Sequence, residues 1–139
     1  MFANITLVFS MFVVGFFGAP KPPQHAPAVD SLTIEANAEA VKRVAYDYFV
    51  LVGREDEFEC FSGIAHGESR WNPEAVGDSG KSWGLVQRHI PTHGLPPMPW
   101  SIEDQVQWAM DYADKRYGGL CPAWKVWQGN IAIYGWGWW

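Results

Sequence analysis

One carboxylate interrupts an otherwise regular pattern. Phe58, Phe61, Ile64 and Ala65 recur at helical spacing, and the next position on that stripe is Glu68. An apolar stripe that ends in a carboxylate is locally inconsistent, and such conflicts mark functional or strained sites. Desolvation there would raise the carboxyl pKa and keep its proton near neutral pH, as a general acid requires. The bland alternative is a Glu in the last helical turn that swings into solvent or pairs with Arg70. A polar, Gly-rich stretch, 72–84, follows soon after, so Glu68 stands at a helix–loop junction able to border a cleft.

Other chemistries find less support. Glu74 and Asp78 are the nearby candidates for a second catalytic carboxylate, but both read first as solvated loop residues, Asp78 in a local turn. His89 and His93 are four apart, yet Pro91 between them forbids a helical metal-binding pair. With no acidic or Cys partner at ligand spacing, neither a metal nor a cofactor is expected. No Gly-x-Ser-x-Gly or P-loop pattern occurs, and the charge run 54–57 reads as a solvated helix start. Cys60 and Cys121 fit no zinc pattern. In an exported chain they would form one disulfide, worth about 2–4 kcal/mol; in a cytosolic chain they would be free core thiols.

The elements that must position Glu68 follow from periodicity. Val41, Val44, Ala45, Tyr48, Leu51 and Val52 predict a helix stopped by Gly53, and a second helix is expected over about 56–69. The segment 89–100 holds four prolines and cannot be a regular helix. Ser101 is placed as an N-cap with Asp104 in capping-box position. Ile102, Val106, Ala109, Met110, Ala113 and Tyr117 form the stripe of the helix that follows, stopped by Gly118-Gly119. One more short helix is expected over 122–127. No stretch alternates over six or more residues, so the fold is expected to be mainly α without a large sheet.

Residues 2–19 are an almost unbroken apolar run, about 27 Å long as a helix, followed at once by Lys-Pro-Pro-Gln-His-Ala-Pro. Such a run is a signal peptide or a membrane anchor rather than a buried core helix. No Lys or Arg precedes it and 17–20 is a poor cleavage site, whereas Ala26-Pro27-Ala28 has the small-x-small pattern. The chain therefore divides into an N-terminal signal or transmembrane helix (1–19), a Pro-rich spacer (20–30) and one folded domain (31–139). Export is expected, with the membrane contacted through the N-terminal segment. A net charge of -5 offers no electrostatic footprint for nucleic acid.

At this point the residues resemble a family. Gly67-Glu68-Ser69-Arg70-Trp71-Asn72-Pro73-Glu74-Ala75-Val76 resembles the Glu-Ser-aromatic-Asn-Pro-x-Ala motif of soluble lytic transglycosylases, which have the lysozyme-like fold. The stretch 77–87, ending Trp83-Gly84-Leu85-Val86-Gln87, is similar to that family's Gly-x-x-Gly-Leu-x-Gln segment. Residues 105–110 and 115–124 look like the closing part of secreted actinobacterial and phage members. There a Cys ahead of the catalytic Glu, here Cys60, accompanies a Cys before Ala-Trp, here Cys121. The resemblance spans about 59–130 and covers three motifs in the family's order.

The resemblance implies a lysozyme-like domain acting on peptidoglycan glycan strands as a monomer, with Glu68 as the single acid/base on the β-1,4 bond between N-acetylmuramic acid and N-acetylglucosamine. By the same analogy Ser69 positions substrate or the helix end, Gln87 contacts the glycan, and Gly84 lets backbone approach the sugar. The family's Tyr-Asn motif is absent, and Tyr134 or Trp127 are the candidates for its place. A hydrolytic lysozyme on the same fold, and a non-catalytic glycan-binding or virion structural protein, are the competing readings. Because bacterial walls are anionic, delivery of so acidic a chain would come from its tether or from a phage particle.

All nine tryptophans fall between Trp71 and Trp139. Trp108 and Trp124 sit beside apolar residues at helical spacing and are expected in the core. Trp71, Trp83 and Trp100 fall in loops flanking the candidate groove, where stacking on sugar and packing are equally open.

Overall fold

The computed structural model of the chain describes residues 31–137 and 139, with side chains from residue 37 on. Neither Pro nor Gly interrupts residues 31–51, and Ala, Glu, Lys and Arg favour the helix. Helix α1 accordingly runs Ser31–Leu51, starting earlier than the stripe from Val41 alone indicates. A 3-10 turn, Glu55–Glu57, leads into α2, Phe58–Ser69, which buries Phe58, Phe61, Ile64 and Ala65 as its spacing predicts. The helix ends on two left-handed residues, Arg70 (φ 52) and Trp71 (φ 64). That conformation costs a side-chain-bearing residue about 1–3 kcal/mol. It is offset by burial of Trp71 against the rings of Phe58 and Phe61.

The stretch after α2 is less of a loop than its composition suggests. Strands β1 (Val76–Gly77), β2 (Ser82–Trp83) and β3 (Arg88–His89) form an antiparallel sheet in the order β1-β2-β3, pairing Val76 with Trp83 and Ser82 with His89. Two-residue strands cannot display an alternating pattern, so periodicity is blind to them. A single helical turn, α3 (Ile90–His93), follows, with Pro91 in its first turn where no backbone donor is needed.

Helix α4, Ile102–Tyr117, begins at the expected Ser101–Asp104 capping box and buries Gln105, Val106, Ala109, Met110 and Ala113. Gln105 braces the loops: its Nε2 donates to the carbonyls of Pro73 and Trp100, and its Oε1 accepts the Leu85 N–H at 2.7 Å. Helix α5, Leu120–Tyr134, is much longer than the expected 122–127. Pro122 falls in its first turn and breaks nothing. Its start is held by Glu57, which accepts the Leu120 N–H at 2.8 Å while pairing with Arg54, itself bonded to Asp114.

Helix α2 packs on α5, α5 on α4, and α4 on α1, so the fold is mainly α. A disulfide joins Cys60 of α2 to Cys121 of α5 across 61 residues. Among the described residues no helix is long and apolar enough to cross a membrane. The segments 1–19 and 20–30, to which export and tethering were assigned, lie outside the described residues.

Candidate active site

Glu68 occupies the last turn of α2 and is half-buried. Burial pushes its carboxyl up to about 7 from the usual 4.5. A hydrogen bond pulls the other way: Trp127 of α5 donates its indole N–H to Glu68 Oε1 at 2.6 Å. Two glycines let the helices come this close. A Cβ on Gly67 would lie 2.3 Å from the Trp127 ring, and one on Gly63 would lie 2.6 Å from the Trp124 ring. The two indoles stack with centroids 4.9 Å apart. Gly137 closes on Trp127 from another side, where a Cβ would sit 2.2 Å from the ring.

Glu68 opens into a cleft of about 580 Å³. The sheet region supplies Asp78, Ser82, Gln87 and His89, and α3 supplies Thr92 and His93. Helix α4 adds Trp108, Tyr112 and Arg116, and the end of the chain adds Trp136, Gly137 and Trp139. Trp108 and Tyr112 stack in parallel, 5.1 Å apart and 9° from coplanar. The Trp139 indole donates to the Val86 carbonyl at 3.3 Å and meets Tyr112 edge-on. Trp108 is thus a cleft wall as well as a core contact, because its flank of α4 faces the sheet region. Trp124 does pack against the core, and Trp71 joins it there. Trp83 and Trp100 are half-buried and do not line the cleft.

The residues named by analogy are dispersed. Ser69 donates its hydroxyl to the Ala65 carbonyl at 3.0 Å, finishing its own helix, and does not line the cleft. Gln87 lines the cleft, but its Nε2 donates to the carbonyls of Ala75 and Gly84, bracing the sheet. Gly84 is buried facing the interior: a Cβ would lie 2.5 Å from Gln105 Oε1 and 2.8 Å from Trp100, so its smallness serves packing rather than approach to a sugar. Tyr134 is 56% exposed and does not line the cleft, whereas Trp127, the other candidate for the missing tyrosine, touches Glu68.

Asp78 shares the cleft, 3.6 Å from His89 Nε2, while Glu74 is exposed and its N–H caps an Asn72 turn. Tyr112 and Arg116 were not singled out from sequence, and His93 was weighed only with His89 as a metal pair. The signal for Tyr112 and Arg116 was the run Trp108, Tyr112, Arg116 at intervals of four along α4. Among the described residues, no group of three His, Cys, Asp or Glu side chains gathers as a metal would require. What the site offers chemically is a desolvated, aimed proton donor facing flat aromatic walls and a basic corner. No family model, curated protein or solved structure matches the chain.

Proposed function

We propose that the chain is a peptidoglycan lytic transglycosylase with Glu68 as its acid/base. The observation that carries this is the Glu68 carboxyl itself, raised to about 7 by burial and fixed by Trp127 in a cleft. The motif resemblance over 67–87 supplies the substrate. Protonated Glu68 gives its proton to the glycosidic oxygen as the bond to C1 breaks. The carboxylate left behind takes the proton of the muramic O6 hydroxyl as that oxygen bonds to C1, closing a 1,6-anhydro ring. One proton leaves Glu68 and one returns, and no water is consumed. The substrate's acetamido group supports the cationic centre, an exception to two-carboxylate glycosidase chemistry.

A pKa near 7 suits a group that must give and take a proton in one turnover. Trp127 engages Oε1, which leaves Oε2 for the substrate. Trp108, Tyr112 and Trp139 line the cleft with aromatic surface against which sugar rings would pack. In this proposal residues 1–19 export or anchor a monomeric enzyme at the envelope, and phage-borne delivery serves the same end.

A second reading, a hydrolytic muramidase, is favoured by one observation: Asp78 lines the same cleft. There Asp78 would activate water and the products would carry reducing ends. Purified sacculi test whether Glu68 does chemistry at all. Glu68→Gln is expected to lower muropeptide release by about 100-fold or more; unchanged release would remove Glu68 from the chemistry, and no release by the wild-type chain would leave only a glycan-binding or virion structural role.

A further inference from the structure

The chain is acidic, with a net charge of -5, yet three basic side chains line one cleft and a fourth lies close behind it. His93 and Arg116 line the cleft beside His89, and Arg88 lies behind the wall. Arg116 spends one donor on the Tyr112 hydroxyl at 2.9 Å and lies 5.7 Å and 5.4 Å from the ring centres of Tyr112 and Tyr117. Aromatic faces, not a carboxylate, hold it in place. A guanidinium has five N–H donors, so most of this one is unspent.

His93 is gripped edge-on by Trp108 and Tyr112, and among the described residues its ring makes no hydrogen bond. Arg88 lies 5.8 Å from the Trp100 ring and 5.1 Å from the Trp108 ring, and its Nε is buried without a hydrogen-bond partner. Among the described residues neither Arg88 nor Arg116 forms an ion pair; the acid at this corner, Asp78, faces His89. Burial first, then the charges of its neighbours, hold His93 below its usual pKa, which favours its neutral form as an N–H donor and leaves the fixed charge to the arginines. Fixed positive charge along a partly desolvated wall raises the local concentration of anions.

We infer that the His93–Arg116 corner is an oxyanion subsite that takes a carboxylate of the peptide stem carried by the glycan strand. This rests on the proposed glycan-cleaving function, because the stem hangs from the muramic acid whose bond Glu68 would break. The contacts place the subsite close to the acid. Gly137 touches Trp127, Trp127 touches Glu68, and Trp139 touches Tyr112 beside Arg116. Gly137 and Trp139 are two residues apart, at most about 7 Å of chain. A phosphate of an anionic wall polymer shares the oxyanion chemistry, and it is the alternative the experiment must separate.

The test uses the full-length chain carrying Glu68→Gln, so that bound glycan is not consumed. Its affinity is measured for soluble glycan strands with peptide stems, for the same strands after amidase removes the stems, and for a glycerol-phosphate oligomer. The stem-bearing strand is expected to bind about tenfold more tightly than the stripped one, a preference that shrinks with salt. Adding Arg116→Gln should bring that ratio to within about twofold, and Arg116→Lys should restore part of it. Equal affinity for both strands, or a ratio that survives Arg116→Gln, overturns the subsite while leaving glycan cleavage standing. Tight binding of the phosphate oligomer with no stem preference overturns the carboxylate assignment. Failure to bind any glycan removes the subsite together with the function it rests on.

Discussion

Trp127 and Glu68, 59 residues apart in sequence, are joined by a 2.6 Å hydrogen bond from the indole N–H to Oε1. The bond favours the ionised carboxylate, while burial favours the acid, and burial wins. A proton donor set by two opposed effects can be tuned from either side.

Removing the hydrogen bond while keeping the ring should therefore raise the Glu68 pKa further. Trp127→Phe is expected to move the alkaline limb of the pH–rate profile up by about half to one unit. The rate at the optimum should fall roughly tenfold as the carboxyl loses its fixed orientation. A profile that keeps its alkaline limb in place would remove Trp127 from the acid's surroundings.

The close approach of α2 and α5 predicts unequal effects from two similar changes. Gly67→Ala and Gly63→Ala each push a methyl into an indole, and each should cost about 1–3 kcal/mol in denaturant unfolding despite better helix propensity. Activity should fall much further in Gly67→Ala, because only Trp127 touches Glu68. Equal losses of activity would mean that both changes act through stability alone.

The burial of Glu68 was legible, because a carboxylate ended a stripe that the fold buries residue for residue. The capping box at Ser101 and the stop at Gly118 were legible for the same local reason. Trp127 as the partner of Glu68 was legible only as one of two candidates, with Tyr134, for the place of the missing tyrosine. It depends on how α2 crosses α5, and the Gly63, Gly67 pair at a spacing of four was the available signal. Trp108 read as core because spacing along α4 does not distinguish a flank against protein from a flank against a cleft. Gly84 illustrates the converse, a glycine whose motif pointed to a sugar while its neighbours, Gln105 and Trp100, account for it. The short strands carry too few residues for any periodic signal.

The Cys60–Cys121 bridge closes a loop of 61 residues between the helices that carry Glu68 and Trp127. Replacing both cysteines by alanine should lower unfolding stability by about 4 kcal/mol on the chain-entropy account. Urea unfolding with and without reductant measures this for the native chain. An unchanged midpoint on full reduction would contradict it.

Glu68 also makes stability depend on pH. Below the unfolded pKa of about 4.5 both states hold the proton, and the contribution is fully present. As pH rises toward about 7 the unfolded carboxyl has ionised while the folded one has not, so stability falls. Allowing for partial exposure, the loss should be about 2–3 kcal/mol. Subtracting the Glu68→Gln unfolding curve from the wild-type curve isolates it; a difference that is flat from pH 4 to 8 would contradict a desolvated acid.

The chemical nature of the new sugar ends tests the central claim most directly. Purified sacculi are digested by the wild-type chain and by Glu68→Gln, and the muropeptides are weighed by mass spectrometry. Wild-type products should be lighter by one water than hydrolytic ones, as 1,6-anhydro ends require, and the Glu68→Gln digest should lack them. Products with reducing ends would contradict transglycosylation and favour the hydrolytic reading.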